Sequence, residues 1–518
     1  MLTRTLESAL RLRRLRIDTY QEPVVYMRRD CPICRSEGFA AHSRVHVEHG
    51  DRSIIATLNV IDGDLLAPME AGLSEYAWQL LGAAEGALVH VSHPTPLDSL
   101  GSVRAKVYGR KLDATALHSI VSDIVDGRYS AVEIAAFVTA CASDRLDQDE
   151  TTALTLAMVA TGDRLQWERT PIVDKHSVGG LPGNRTTPIV VAIATACGLI
   201  MPKTSSRAIT SPAGTADMME TLAPVDLDLA AMRRVVDREG GCIVWGGSVR
   251  LSPADDLLIR VERVLDLDSE GQLVASVLSK KVAAGVTHVV VDLPVGPTAK
   301  VRSHAAATQL TAMLVRTGRD VGLSVSPVAT DGRQPIGRGI GPALEARDVL
   351  AVLQGNSRAP ADLRDRALLL AGQVLELCGT APPGGGAALA RRTLDDGRAW
   401  LKFRAICAAQ GGMREPPIAP YQHEIAAPVS GTVTNIDNRR LARIAKLAGA
   451  PLDPAAGIEL FVHLGTNVDA GQPLFAVHAE STGELAYALE FLRRQRDVIH
   501  IDPAAPTPRP LQTKLIAD

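Results

Sequence analysis

Aromatic residues make up only 3% of the 518 positions. So few rings leave little material on which successive bases of a single strand could stack. Charge of one sign is also lacking: 55 Lys and Arg stand against 58 Asp and Glu, a net charge of -3. Nothing in that balance attracts nucleic acid or an anionic membrane surface. Long hydrophobic runs are missing too. The longest, Pro188 to Met201, is interrupted by Thr195 and Gly198 and is too short to span a bilayer. No secretory signal is visible, and the Arg-rich start, Leu10 to Arg16, reads as an alternating strand or a short amphipathic element rather than a transit peptide. The seven cysteines are odd in number and mostly scattered, as suits a reducing cytoplasm. Cys31 and Cys34 form one CxxC pair, but His42 and His46 lie at poor ligand spacing, and no metal site is expected. No thioredoxin-like βαβ pattern surrounds the pair to support a redox role.

What is present describes a soluble, globular, multidomain α/β chain. The hydrophobic fraction is 46% and the charged fraction 22%, and the length implies three or four domains. Residues 1–98 carry short alternating runs around Val24, Val45, Ser53 to Val60 and Val89, which predict a β-rich domain. Residues 105–168 predict a helical bundle: Leu117, Ile120, Val121, Ile124 and Val125 form an apolar stripe, Asp113 is its cap and Gly127 its end. Ser130 with Glu133 spells a capping box, and Asp147 opens a third helix. Residues 170–410 predict a large α/β domain with a mainly parallel sheet, interrupted by a helical insert at about 252–283 that completes the bundle. Its expected strands include Ile189 to Ile193, Cys242 to Trp245 and His288 to Val291. Residues 415–505 predict a barrel-sandwich α+β unit that looks like a carrier domain. It has no lysine between Lys446 and Lys514 to modify, so its role is structural.

The chemistry concentrates in two loops. Asp174-Lys175-His176-Ser177-Val178-Gly179-Gly180 brings a cation, a hydroxyl and a close-approaching backbone. Ser205-Ser206-Arg207 and Gly214-Thr215 bring more hydroxyls and another glycine. Phosphate is bound by these groups, particularly beside strand ends and helix N-termini. A second cluster, Ser276 to Lys281, offers hydrogen-bonding groups for an uncharged reactant. Phosphate together with a second reactant points to phosphorolysis.

These motifs resemble the thymidine and pyrimidine-nucleoside phosphorylase family. The segment Pro202 to Thr215 is especially similar to the AMP phosphorylase branch and to the long type 2 bacterial thymidine phosphorylases. The resemblance runs from about 105 to 500, and less specifically through residues 1–98. It implies that Lys175, Ser177, Gly180, Thr187, Ser205 and Thr215 contact phosphate, and that Arg260, Ser276 and Lys280 contact the base. Nucleotide contacts fall on Ser206, Arg207, Ala208, Ile209, Thr210, Ser211 and Lys300, and the proton donor on Asp268, with His176 as the alternative. The implied activity is reversible phosphorolysis of thymidine to thymine and 2-deoxy-α-D-ribose 1-phosphate in pyrimidine metabolism.

One departure keeps a second substrate open. Where nucleoside-specific members have His-Thr-Gly-Gly-Thr, this chain has Ser211-Pro212-Ala213-Gly214-Thr215. Smaller residues there admit a 5′-phosphate, as in an AMP phosphorylase releasing base and ribose 1,5-bisphosphate. A silent phosphate- or nucleotide-binding protein is the third reading. Inorganic phosphate is a co-substrate and no cofactor is implied. The expected setting is a cytoplasmic homodimer or higher homo-oligomer, with its dimer contact on residues 105–168 and with no nucleic-acid or membrane partner. Removing Lys175 is expected to raise the phosphate requirement and leave the fold intact.

Overall fold

The computed structural model describes residues 9–208, 211–249, 251–265, 267, 269–495 and 497–503. They form two compact units, 1–140 and 141–518.

The first unit opens with a closed six-stranded barrel. Its strands are β1 (Ala9–Arg14), β2 (Val24–Arg28), β3 (Arg44–His49), β4 (Arg52–Ile61), β5 (Glu70–Leu73) and β6 (Leu88–Ser92), in the order β1-β5-β2-β4-β3-β6. Period-two patterning drives it: Leu10 and Leu12 point into the core while Arg11 and Arg13 face out. Cys31 and Cys34, both free thiols, pack in that core beside Phe39. Helices Ser99–Val107, Ala114–Val125 and Ala131–Ala140 follow. The helical stretch thus starts earlier than the periodicity indicated. Asp113 caps the second helix by accepting from Ala116 N at 2.8 Å, and Gly127 closes it with a positive φ of 69°. Ser130 and Glu133 form the expected reciprocal cap.

The second unit is built on parallel strands β7 (Val173–Ser177), β8 (Met201–Ser205), β9 (Gly241–Trp245), β10 (His288–Val295) and β11 (Ser324–Asp331). β7 pairs β10 and β10 pairs β11, while β8 pairs β9, all in parallel. A bridge between Ile172 and Ile200 joins the two sets in the order β11-β10-β7-β8-β9. The chain runs outward from β7 to β9, then returns to the other side at β10. That reversal opens a crevice beyond the carboxyl end of β7, where ligands bind in such sheets.

One expected strand is a helix. Ile189 to Ile193 lies within the helix Thr187–Ala196, whose residues Thr187 to Thr195 are all buried. A five-residue apolar run does not distinguish a buried strand from a helix buried on every side. The available signal was Pro188 in the first helical turn, where a missing N–H costs nothing. The helices Pro342–Leu353, Ala361–Leu377 and Arg398–Ala409 pack with it in one large core.

Helix Gln148–Ala160, started by the Asp147–Glu150 capping box, packs on helices Pro253–Leu265 and Glu270–Ala283. The last strands are β12 (Gly339–Ile340), β13 (Tyr421–Ala426), β14 (Gly431–Ile436), β15 (Gly457–Leu460), β16 (Asn467–Val468), β17 (Pro473–Ala479) and β18 (Ile499–Asp502). They make two sheets, β12-β15-β17-β13 and β16-β14-β18, around one core. No helix of the described residues is long and apolar enough to cross a membrane.

Candidate active site

A cavity of about 450 Å³ lies at the carboxyl ends of β7, β8 and β9. Both polar segments line it: Lys175, His176 and Ser177 at the end of β7 with Gly180 beyond it, and Ser205 at the end of β8 with Ser206 to Ala208, Ser211, Gly214 and Thr215 beyond it. Thr187 and Lys300 line it as well. The helices Pro253–Leu265 and Glu270–Ala283 contribute Asp255, Asp256, Ile259, Glu262, Ser276 and Lys280. Arg260 is absent from the lining, although its neighbour Ile259 is present. One helical step turns a side chain by about 100°, enough to carry it off the cavity face. Ile209, Thr210 and Asp268 lie outside the described residues.

Lys175 is 1% exposed. Its Nζ donates to Thr186 Oγ1 at 2.7 Å and stands 4.0 Å from Asp292 Oδ2. Burial pushes the ammonium down to about 8, against the pull of Asp292. Asp292 also accepts from Thr330 Oγ1 at 2.6 Å and Asn184 Nδ2 at 3.0 Å. Thr186 therefore holds the lysine in the cavity wall, with Asp292 close enough to attract the ammonium but not to pair with it tightly.

Asp174 faces the other way. Its two oxygens meet Lys203 Nζ at 3.1 Å and Lys281 Nζ at 2.5 Å, all three side chains being buried. Two lysines against one carboxylate leave an excess of positive charge beneath the cavity, although burial pushes the Lys281 ammonium down to about 7 against the pull of Asp174. His176 feels it: burial, then Lys281, Lys203, Lys280 and Lys175, hold its imidazole neutral, well below the ordinary range. The ring therefore carries no imidazolium proton to give near neutral pH.

Ser205 sits at the end of β8, and its hydroxyl is buried without a hydrogen-bond partner among the described residues. Buried hydroxyls are normally satisfied, and one at a cavity wall without a protein partner is able to donate to a bound anion. Arg185, which the motifs did not single out, ties the two loops together. Its guanidinium donates to Thr215 Oγ1 at 2.9 Å, Ala213 O at 3.0 Å and Glu345 Oε2 at 2.6 Å. Burial raises Glu345 to about 7 despite that partner. Arg207 is clasped by Glu220 at 2.5 Å and lies over the Trp245 ring, 5.0 Å from its centre.

Glycine is required where the loops close in. A Cβ on Gly214 would stand 2.5 Å from Ser206 O and 2.6 Å from Arg207 C. At Gly180 the φ is +80° and a Cβ would lie 2.5 Å from Lys300 N. Gly214→Ala is expected to displace the Ser206–Ala208 backbone, cost about 1–3 kcal/mol as overpacking does, and weaken phosphate use. Thermal unfolding and phosphate titration of the variant check it, and an unchanged pair of values would count against the contact.

On the helical side, Lys280 Nζ donates to Asp255 Oδ2 at 2.5 Å and to Ser276 Oγ at 3.3 Å. Residues Asp255, Asp256, Asp292, Asn184 and Arg185 were not picked out as site residues. The first two were within reach, because Asp255 and Asp256 adjoin Ile259 at helical spacing in a segment already assigned to the base.

Comparison with known proteins agrees with this architecture. The family model described as glycosyl transferase family, a/b domain, matches residues 169–400. The helical bundle domain of that family matches 102–162, and the pyrimidine nucleoside phosphorylase C-terminal domain matches 432–498. A protein of Polaromonas sp. strain JS666 named "putative thymidine phosphorylase" is 66% identical over 492 residues, covering 95% of this chain and 96% of its own. An Acidovorax sp. strain JS42 relative, "putative thymidine phosphorylase 2", is 65% identical over 500 residues, covering 96% and 98%. The solved anthranilate phosphoribosyltransferase of Thermus thermophilus shares the fold at 22% identity and a TM-score of 0.50, over 60% of this chain and 99% of that one. With the phosphorylase motifs lining one cavity of that fold, the chain belongs to the thymidine and pyrimidine-nucleoside phosphorylase family of pentosyltransferases.

Proposed function

We propose that the protein catalyses reversible phosphorolysis of thymidine, giving thymine and 2-deoxy-α-D-ribose 1-phosphate. The observation that carries the phosphate half is the unpartnered Ser205 hydroxyl on the same cavity as the buried Lys175 ammonium. The names of the close relatives support the nucleoside half. The sugar C1 gains oxocarbenium character as the base departs. A phosphate held by Lys175, Ser177, Thr187, Ser205 and Thr215 stabilises that charge and then attacks it. Alignment before reaction removes much of the entropic barrier. Ser276 and Lys280 bind the base. Inorganic phosphate is the only co-substrate, and no cofactor takes part. A cytoplasmic homodimer goes with this reading.

A second reading is favoured by a specific feature. Ser206, Ser211 and Lys300 line the cavity together with the small Ala213, a set suited to a 5′-phosphate. The alternative substrate is thus a nucleoside 5′-monophosphate such as AMP, with ribose 1,5-bisphosphate as product. Phosphate-dependent base release from thymidine, AMP, CMP and UMP, measured side by side, separates the two. Thymidine is expected to react; cleavage of AMP alone would replace the first reading with the second. Cleavage of none would favour a silent binding protein.

A further inference from the structure

The departing base takes up a proton, and His176, the alternative donor, carries no imidazolium proton to give near neutral pH. His176 is kept neutral by burial and by four surrounding ammonium groups. The helix Pro253–Leu265 offers two adjacent carboxyls in its first turn, Asp255 and Asp256. They are not equivalent. Asp255 is 1% exposed and bound to Lys280 Nζ at 2.5 Å, which commits its carboxyl to that lysine. Asp256 opens onto the cavity beside it and makes no hydrogen bond or ion pair among the described residues.

The charged groups near Asp256 come from two helices. Asp255 and Glu262 lie on its own helix and line the cavity with it. Lys280, on Glu270–Ala283, is drawn to Asp255. The helix Gln148–Ala160 also packs on Pro253–Leu265, but Gly162, just past its C-terminal end, is what meets Leu251 and Pro253, and its acidic Asp149 and Glu150 lie at the opposite end. Asp256 keeps an exposed edge on the cavity, yet the protein around it, then the Asp255 charge, raise its carboxyl to about 6, with Lys280 opposing them. Asp255 is taken up by Lys280 while Asp256 stays open to the cavity, which leaves Asp256 to carry a proton.

We propose that Asp256 is a catalytic residue, the general acid that protonates the departing nucleobase. This rests on the phosphorolysis reading above. The C1–N bond breaks with its electron pair passing to the base. A phosphate oxygen forms the new bond to C1. The Asp256 carboxyl proton moves onto the base, and the carboxylate regains a proton from water after the products leave. In the synthetic direction the same carboxylate, ionised, removes the proton from the incoming base.

The test follows kcat/KM against pH for wild type, Asp256→Asn and Asp256→Glu, using whichever of thymidine, AMP, CMP or UMP the wild type cleaves. Analogues with electron-withdrawing substituents on the base are run in parallel. Wild-type phosphorolysis is expected to fall as pH rises through about 6, since the acid must be protonated. Asp256→Asn is expected to lose about 100-fold at about pH 5.5, within the usual range for an acid catalyst, and much less in mild alkali. Its loss should shrink for bases that leave readily, and Asp256→Glu should restore the pH dependence. A purely structural role would lower every substrate and every pH alike, and that result overturns the proposal. So does an Asp268→Asn variant that removes the acid limb while Asp256→Asn keeps it. A wild type that cleaves nothing overturns the phosphorolysis reading itself.

Discussion

Replacing Lys175 with methionine is expected to raise the phosphate concentration for half-maximal rate about 10- to 150-fold, the loss of one charge-assisted hydrogen bond worth about 1.5–3 kcal/mol. The size follows from burial. At 1% exposure the ammonium is not screened by bulk water, so its attraction for an anion is strong. Its neighbours leave one role open: Thr186 takes one proton at 2.7 Å, and Asp292 stays 4.0 Å away, too far for a tight pair. The pH dependence has a definite sign. The folded lysine titrates at about 8, below its ordinary 10.5. Phosphate use in the wild type should therefore weaken as pH rises past about 8, and the methionine variant should lack that decline. For stability, the unfolded chain holds the proton more tightly across that window, so the buried cation's penalty relaxes as pH rises through it. The expectation that the fold is untouched needs amendment, because Asp292 is also buried. Its bonds to Thr330 and Asn184 and the nearby Arg366 charge offset the lost cation only in part, so some stability is lost as well. Unchanged phosphate titration would remove Lys175 from the phosphate site.

The second large effect concerns the fold. Asp174→Asn is expected to destabilise the α/β unit by about 3–5 kcal/mol, the usual cost of stripping a buried charge of its partner. Here two ammonium groups, Lys203 and Lys281, lose one shared carboxylate in a place where none of the three reaches water. Thermal unfolding reads it. Lys203 and Lys281 hold Asp174 below the usual carboxylate range in spite of burial. The stabilisation is therefore present at neutral pH and is lost as pH falls through that depressed value. The gap between wild type and variant should narrow in acid. An Asp174→Asn protein that melts with the wild type at neutral pH would show that the three charges are not coupled.

Local chemistry was legible wherever neighbours in sequence are neighbours in space. The caps at Asp113, Ser130 and Asp147 involve partners three residues apart, so residue type and spacing suffice to find them. Leu10 and Leu12 alternate with arginines because a strand presents successive side chains to opposite faces. Ile189 to Ile193 failed for the converse reason: a uniformly apolar run has no face, and only the packing around it decides between strand and helix.

That the two polar segments belong to a site was readable from their composition of hydroxyls, glycines and a lysine, and both line one cavity. Asp292 was not, because it meets Lys175 from a separate strand, β10, paired alongside β7. Arg185 likewise reaches Thr215 and Glu345 across 30 and 160 residues.

The residue order alone determined which chemical groups this protein can bring to a reaction, because side-chain type and short-range spacing need no fold to be read. Only the tertiary structure decided the charge each group carries, that His176 is neutral and Lys175 titrates at about 8. Those states depend on water excluded by distant segments and on charges brought within a few ångströms by the parallel sheet. Burial and long-range pairing are properties of the folded chain and appear in no stretch of it.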